Sequence, residues 1–567
     1  FERLIKKYLL DNPHRALVIL EPEADFLEKK ESEAAAALRA QAANLSKGEI
    51  EALEKKNAGL EAWQEKGDSP EALASIPHLS RRDLSPEVEK LDRRLYDAGG
   101  VPLVAHELYT NGISYLDLAF PVDTLPLEDY PWLPFFSRVV TSLGLPGMDY
   151  GEVSSLLART AGGFAAYLET GSAVEYSGYA VPLPTGVLDI RGRDWLVFRL
   201  KALDEKFADS SDLALRLITG ADFSDLRRIR DLVLEMKNEA DSSLAPIGHS
   251  YASARSGRNF SRSRMVEEIW NGLSQISFVH RLAAMDTAEL AARLTRIRDT
   301  LIAGAGLIAN LSVSPERMKE ALAVTGERFG AFGSPRSRKT WGREALLPYL
   351  SMPSEAVCAG PEETGEAEVF AAPSLQIGFA AMSLSAVPYL SRSYAPELVL
   401  SHQLSTGALW EHIRMKGGAY GAFAQANHTE GTFSFSTYRD PNPFRSLEAF
   451  SSILKTFDKI EAEKAGDAAH RESELEKLII GAYSRETRPL TPSAKAFSDF
   501  LRFLYGINDS YRARKLEGII SVRSEDLSAA AARLASQKPR CPVIIAGNAL
   551  AEKAAAALGV GVKTLPV

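Results

Sequence analysis

The sequence predicts an α+β protein in which a long helical hairpin linker precedes two homologous domains, each a sheet covered by helices. Three observations carry this expectation. Residues 24–66 are dominated by Ala, Leu, Glu, Lys and Gln, all strong helix formers. Two later stretches of similar size, 99–340 and 355–567, each open on strand-like apolar runs and continue in long helical patterns. Both also carry one spaced motif, Arg159-x-x-Gly162-Gly163 and Arg414-x-x-Gly417-Gly418, which reads as an internal duplication.

The totals bound what such a chain can do. A length of 567 residues exceeds what one hydrophobic core serves, so several domains are expected. With 45% hydrophobic and 25% charged residues the composition is that of a soluble globular protein, and no apolar run is long enough to span a bilayer. A net charge of -8 lacks the basic field that draws phosphates, so nucleic acid is not an expected partner and a basic or amphipathic peptide is the more natural guest. The only cysteines, Cys358 and Cys541, are too few for a disulfide framework and fit a reducing compartment, with the bacterial cytoplasm as the expected setting. The chain opens at Phe1 with neither an initiator Met nor a charged-then-apolar leader, which reads as a segment of something longer.

Taken in order, Asp11 to Pro22 is an apolar run bounded by prolines and predicts a strand. The two hairpin helices follow, broken at Asn44–Glu49, where Ser46 and Glu49 have the spacing of a capping box. Gly67-Asp68-Ser69-Pro70 stops the second helix. A solvated helical arm is the plain reading of this Lys/Glu-rich hairpin, a binding element the alternative. Ile76 to Leu84 reads as an extended connector, placing the first segment at 1–98, the first sheet domain at 99–345 and the second at 346–567, with linker composition at Phe332–Lys339 and Ser351–Glu368. Ile113–Phe120 and Leu375–Met382 are the matching strands of the two domains. In both, the paired glycines are expected to end a helix and turn the backbone into a strand.

A zinc peptidase needs two histidines one helical turn apart with a glutamate beside them. None of the nine histidines has that context. The nearest approach, His106-Glu107-Leu108-Tyr109-Thr110, puts a threonine where the second ligand belongs and sits in a strand-like run, where a structural histidine is expected. No metal site is assigned to this chain. There is no nucleophile elbow, phosphate loop or Cys-x-x-Cys either. Gly304-Ala305-Gly306 imitates a dinucleotide fingerprint but follows a helix-like stretch instead of a strand. What remains is Arg414 and Tyr420, a cation and a phenol six residues apart around Gly417 and Gly418. That spacing lets both aim at one point, where two donors would suit a carbonyl or its oxyanion. Equally, Arg414 can be a surface cation and Tyr420 a sheet residue.

The run Arg414-x-x-Gly417-Gly418-Ala419-Tyr420-Gly421 resembles the carboxy-terminal signature of the presequence-protease branch of the insulinase/pitrilysin zinc metallopeptidases. Tyr438–Asn442, Pro489–Lys495, Asn12-Pro13-His14, Ile76-Pro77-x-Leu79, Asn111–Tyr115 and Thr160–Gly163 are similar to it as well, and together they span nearly the whole chain. The resemblance implies four homologous α+β domains in two halves around a chamber for unfolded peptides, with zinc in the first half. The chain would then be the hairpin with the third, non-catalytic domain and the fourth, and its partners would be an amino-terminal catalytic half of the same polypeptide and unfolded peptide substrates. The resemblance also implies that Arg414 and Tyr420 are catalytic, hydrogen-bonding the substrate carbonyl, with Gly417 and Gly418 making room for substrate. Arg159 takes no such role, since Phe164-Ala165 stands where the second copy has Ala419-Tyr420. A non-catalytic peptide-binding subunit of the same fold is the competing expectation. A self-sufficient hydrolase of another class lacks a nucleophile and base.

Overall fold

High helix propensity does what it predicts between residues 26 and 65, which form two helices, Phe26–Asn44 and Lys47–Glu65. The break between them is a capping box: the Glu49 amide donates to Ser46 Oγ at 3.3 Å, and the Ser46 amide donates to the Glu49 carboxylate at 2.8 Å. The computed structural model describes all residues except 22, 24, 70, 73–74, 175–179, 184–185, 190–191, 337–342, 351–365 and 465–467. It divides into two units, Phe1–His78 and Leu79–Val567.

In the first unit the strand expected from Asp11 to Pro22 does not form. Residues 12–21 carry no regular secondary structure, and Leu17, Val18, Ile19 and Leu20 are exposed. An apolar, proline-bounded run becomes a strand only when another strand pairs its amides and carbonyls, and among the described residues none does. The boundary expected at Gly99 also moves. The second unit starts at Leu79, because the connector is tied to helices far along the chain: the Arg81 amide donates to Glu476 at 2.7 Å, and the Tyr483 hydroxyl donates to the Ser85 carbonyl at 2.8 Å. Most of the linker expected at Ser351–Glu368, and Lys339 at the end of the other, lie outside the described residues, as does Cys358.

Strands β1 (Arg93–Ala98), β2 (Val101–Glu107), β3 (Ile113–Pro121) and β4 (Gly163–Thr170) belong to the first sheet domain. It also contains a small ladder of β5 (Ala180–Leu183) and β6 (Gly186–Asp189), then β7 (Asp194–Leu203) and β8 (Ile308–Val313). The second domain supplies β9 (Glu368–Ala371), β10 (Gly378–Ser385), β11 (Gly421–Asn427), β12 (Thr432–Tyr438), β13 (Arg540–Ala546) and β14 (Val562–Thr564). The two six-stranded sheets run β4-β7-β3-β8-β2-β1 and β11-β12-β10-β13-β9-β14.

The first five strands of each order correspond. The pairs β4·β7, β7·β3 and β3·β8 are antiparallel and β8·β2 is parallel, and β11·β12, β12·β10, β10·β13 and β13·β9 repeat that sequence. Only the sixth strand differs: β1 is antiparallel to β2, whereas β14 is parallel to β9. The duplication legible in two Arg-x-x-Gly-Gly motifs is therefore a duplication of sheet topology, and each motif leads into the same edge strand, β4 or β11. The glycines at 304 and 306 close the helix Thr287–Gly304 ahead of β8, an order opposite to that of a dinucleotide turn.

Each sheet is covered on one face by helices of its own domain and on the other by a helix of its neighbour. The long helix Leu226–Gly257 of the first domain sets Leu244 and Ala252 against Phe370, Phe379, Val543 and Ile545 of the second sheet. In exchange, the helix Pro492–Tyr505 sets Phe500, Phe503 and Leu504 against Val104, Ala119, Trp195, Val197 and Ile308 of the first. Burying such a side chain stabilises by roughly 1.5–3 kcal/mol, so this reciprocal cover holds the two domains as one unit. Gly248 permits one of the contacts, since a Cβ there would lie 2.4 Å from the Phe379 ring.

Candidate functional site

The second copy of the motif closes a helical turn in a way the first does not. Residues Trp410–Met415 form a wide turn in which the Lys416 amide reaches the Glu411 carbonyl. Gly418 then adopts φ +79°, its amide donating to the Arg414 carbonyl at 3.0 Å while the Ala419 amide donates to the Ile413 carbonyl at 3.1 Å. This is a left-handed helix cap, which a residue without Cβ adopts at no steric cost. Gly417 is excluded from having a side chain for another reason, because its Cβ would stand 2.5 Å from the Ile413 carbonyl oxygen. Both glycines thus have a backbone reason to be there. At the first copy neither Gly162 nor Gly163 has positive φ, and Phe164 stacks on Phe198 at 5.8 Å.

The left-handed turn brings Arg414 and Tyr420 together. The Arg414 guanidinium carbon lies 5.6 Å from the centre of the Tyr420 ring, a cation–π distance. Tyr420 is 65% exposed and is fixed from behind: its amide donates to the Arg439 carbonyl at 3.2 Å, and its ring meets Tyr438 edge-on at 5.7 Å. Arg439 itself has φ +49°. Among the described residues neither the guanidinium of Arg414 nor the hydroxyl of Tyr420 has a hydrogen-bond or ion-pair partner. Two donors therefore stand free beside β11, a strand with no neighbour on its outer side in the sheet order.

Sequence reasoning missed what backs this pair. His249, on the long helix of the first domain, lies 5.1 Å from the Tyr438 ring and 6.0 Å from Phe423, which is half exposed on β11. It arrives there because the helix is kinked: Pro246 interrupts it, and Ile247 takes φ -129°, ψ 19°. Burial holds the imidazole below its ordinary pKa, hence neutral at pH 7. The signal available in sequence was Pro246 followed by Gly248 and His249 inside a helical run. Nothing local said which strand that kink would face.

The His106 stretch disperses instead of converging. His106 is fully buried in β2, its Nε2 3.7 Å from Asp499, and burial depresses its pKa. Glu107 pairs with Arg94 at 3.0 Å, and the Thr110 hydroxyl shares a hydrogen bond with Ser314 at 3.2 Å. Among the described residues no group of three or more His, Cys, Asp and Glu is placed to hold a metal ion. These side chains do not fit a zinc site. No helix of the described residues is long and apolar enough to cross a membrane.

Residues 20–282 match the family described as associated with subfamily C of the M16 peptidases, and residues 376–548 match the PreP C-terminal domain. The chain is 25% identical over 533 residues to "Presequence protease 1, chloroplastic/mitochondrial" of Arabidopsis thaliana, covering 93% of this chain and 46% of that protein. It is 26% identical to the mitochondrial presequence protease of Xenopus laevis, covering 92% and 50%. An uncharacterized protein of Borreliella burgdorferi is 26% identical, covering 95% and 52%. The chain spans about half the length of the curated relatives it matches. Among solved structures, a conserved protein from Enterococcus faecalis superposes with a TM-score of 0.55 at 14% identity, covering 81% of this chain and 99% of that one. A peptidase M16 inactive domain from Pseudomonas fluorescens gives 0.50 at 13% identity, covering 81% and 98%. At such identities these two structures speak for the fold.

Proposed function

Because the chain belongs to the presequence-protease family of M16 peptidases and matches its carboxy-terminal half, we propose that it is the substrate-clamping half of a zinc-dependent endopeptidase that degrades short unstructured peptides. Arg414 and Tyr420 donate to the carbonyl oxygen of the scissile peptide and to the oxyanion that develops there. Gly418 leaves space for a substrate backbone, its missing Cβ having Pro441 as nearest neighbour at 3.5 Å, while Gly417 serves by letting the turn close on the Ile413 carbonyl. The observation that carries this reading is the pair of unpartnered donors held side by side at the rim of an edge strand.

The chemistry follows from charge. A peptide carbonyl gains negative charge as it becomes tetrahedral, and donors already aimed at that oxygen stabilise the transition state more than the ground state. Donors with no internal partner break no hydrogen bond to engage it. An extended substrate can add along the start of β11 beside Tyr420, whereas further along the amide and carbonyl of Ala424 are already bonded to the Ser405 hydroxyl at 2.8 and 3.1 Å. The metal of such a peptidase is assigned to sequence outside this chain, as is the catalytic half with which it would enclose the peptide. The cytoplasm is the setting that suits a chain whose sequence holds only two cysteines, Cys358 and Cys541.

The internal duplication supplies its own control. In the intact protein, Arg414→Ala should lower kcat/KM for an unstructured peptide by about 10²-fold, while Arg159→Ala at the equivalent place in the first sheet domain should leave it unchanged. Equal effects from the two substitutions would sink the assignment.

A further inference from the structure

The connector that begins the second unit roofs a cavity of about 370 Å³ whose floor is made by helices of the second sheet domain. Its lining holds five cations, Arg488, Lys495, Arg502, Arg512 and Lys515, against three carboxylates, in a chain whose net charge is -8. Most of the charges are already matched. Lys495 pairs with Glu89 at 2.5 Å, Lys515 with Glu486 at 2.7 Å, and Arg512 with Asp509 at 2.8 Å. Arg512 also donates to the Glu89 carbonyl at 3.1 Å.

Besides the exposed Arg488, the unmatched cation is Arg502. Its guanidinium is half-buried and has no hydrogen-bond or ion-pair partner among the described residues. Burial and then the like charge of Arg512 hold it below its ordinary pKa. Beside it the Tyr389 hydroxyl shares a hydrogen bond with the hydroxyl of Tyr394, which uses only part of its capacity. Two guanidiniums near one another repel unless an anion lies between them, and their planar forks match the oxygens of a carboxylate or phosphate.

We propose that this cavity binds a small oxyanion, held by the guanidiniums of Arg502 and Arg512 with the Tyr389 hydroxyl as a third donor. The site is separate from the Arg414–Tyr420 pair and does not depend on the catalytic reading. Two sources share the chemistry, inorganic phosphate and the carboxylate of a peptide terminus.

The test is calorimetric titration of the intact protein at ionic strength held constant with NaCl. One arm uses inorganic phosphate; another uses a tripeptide with a free carboxy terminus, with its amidated form as control. Saturable binding is expected in at least one arm, weakened about ten- to a hundredfold by Arg502→Gln and a few-fold by Tyr389→Phe. Binding of phosphate identifies a free anion as the ligand, and binding of the free-carboxylate tripeptide alone identifies a peptide terminus. Arg502→Gln removes the attraction of Asp499 and Asp509 along with the repulsion from Arg512, so its Tm is measured beside the binding curve. If that variant fails to fold, Tyr389→Phe decides. No saturable binding in either arm, or binding untouched by both substitutions, overturns the proposal.

Discussion

Replacing Tyr420 by Phe removes one oxygen atom and little else. The hydroxyl has no partner among the described residues and the side chain is 65% exposed, so the fold loses no buried hydrogen bond. The ring keeps its edge-on contact with Tyr438 at 5.7 Å and its place 5.6 Å from the Arg414 guanidinium, both of which a phenyl group sustains. Stability should therefore change by no more than about 0.5 kcal/mol. Catalysis should change far more, because a donor to an oxyanion contributes roughly 3–4 kcal/mol, or about 10²- to 10³-fold in kcat. The assay is steady-state cleavage of an internally quenched unstructured peptide by the intact protein, with Tm measured in parallel. The expected result is a large fall in kcat, a small change in KM and an unmoved Tm. An unchanged kcat removes Tyr420 from the chemistry. A rise in KM at constant kcat would mean that the hydroxyl binds ground state and transition state equally.

Further outcomes follow from particular contacts. Gly418→Ala forces a Cβ into φ +79° and should cost about 1–2 kcal/mol, lowering both Tm and kcat, whereas Gly163→Ala, with open space and ordinary φ, should alter neither. His428 is held neutral, its pKa pushed down to about 4 chiefly by burial, with its Nδ1 2.8 Å from the Val387 carbonyl. Between pH 6.5 and 4 the unfolded chain protonates this residue before the folded one does, so stability should fall by about 3 kcal/mol through that window and level off below it. Urea midpoints measured against pH should show this slope, and His428→Asn should flatten it. Glu430 accepts the Ser172 amide at 2.8 Å and the hydroxyls of Ser172, Ser261 and Ser263, joining the β11–β12 turn to the first domain. Glu430→Ala should cost roughly 3 kcal/mol in urea denaturation, and a loss within error would show that water replaces the carboxylate freely.

Local chemistry made much of this molecule legible in sequence. The hairpin could be read because helix propensity and a capping box act within a few residues, and Ser46 and Glu49 need no tertiary partner. The duplication could be read because Arg-x-x-Gly-Gly ends a turn at a sheet edge in both domains. Arg414 and Tyr420 could be singled out because six residues around a glycine turn span a short distance. The expected strand at Asp11–Pro22 failed for the opposite reason, since whether an apolar run is a strand depends on a partner that its own residues do not specify.

The helical hairpin, the α+β class, the paired motifs and the candidacy of Arg414, Tyr420, Gly417 and Gly418 follow from residue order alone, through interactions that span a turn of helix or one reversal of the chain. Folding in three dimensions was needed to bring helix Leu226–Gly257 over the neighbouring sheet, to set His249 behind Tyr438 through a kink at Ile247, and to turn Arg502 to a cavity without a partner among the described residues. These depend on contacts between residues far apart in the chain. Their energies come from burial and electrostatics, which are fixed by where chain segments meet and not by the identities of neighbours in sequence.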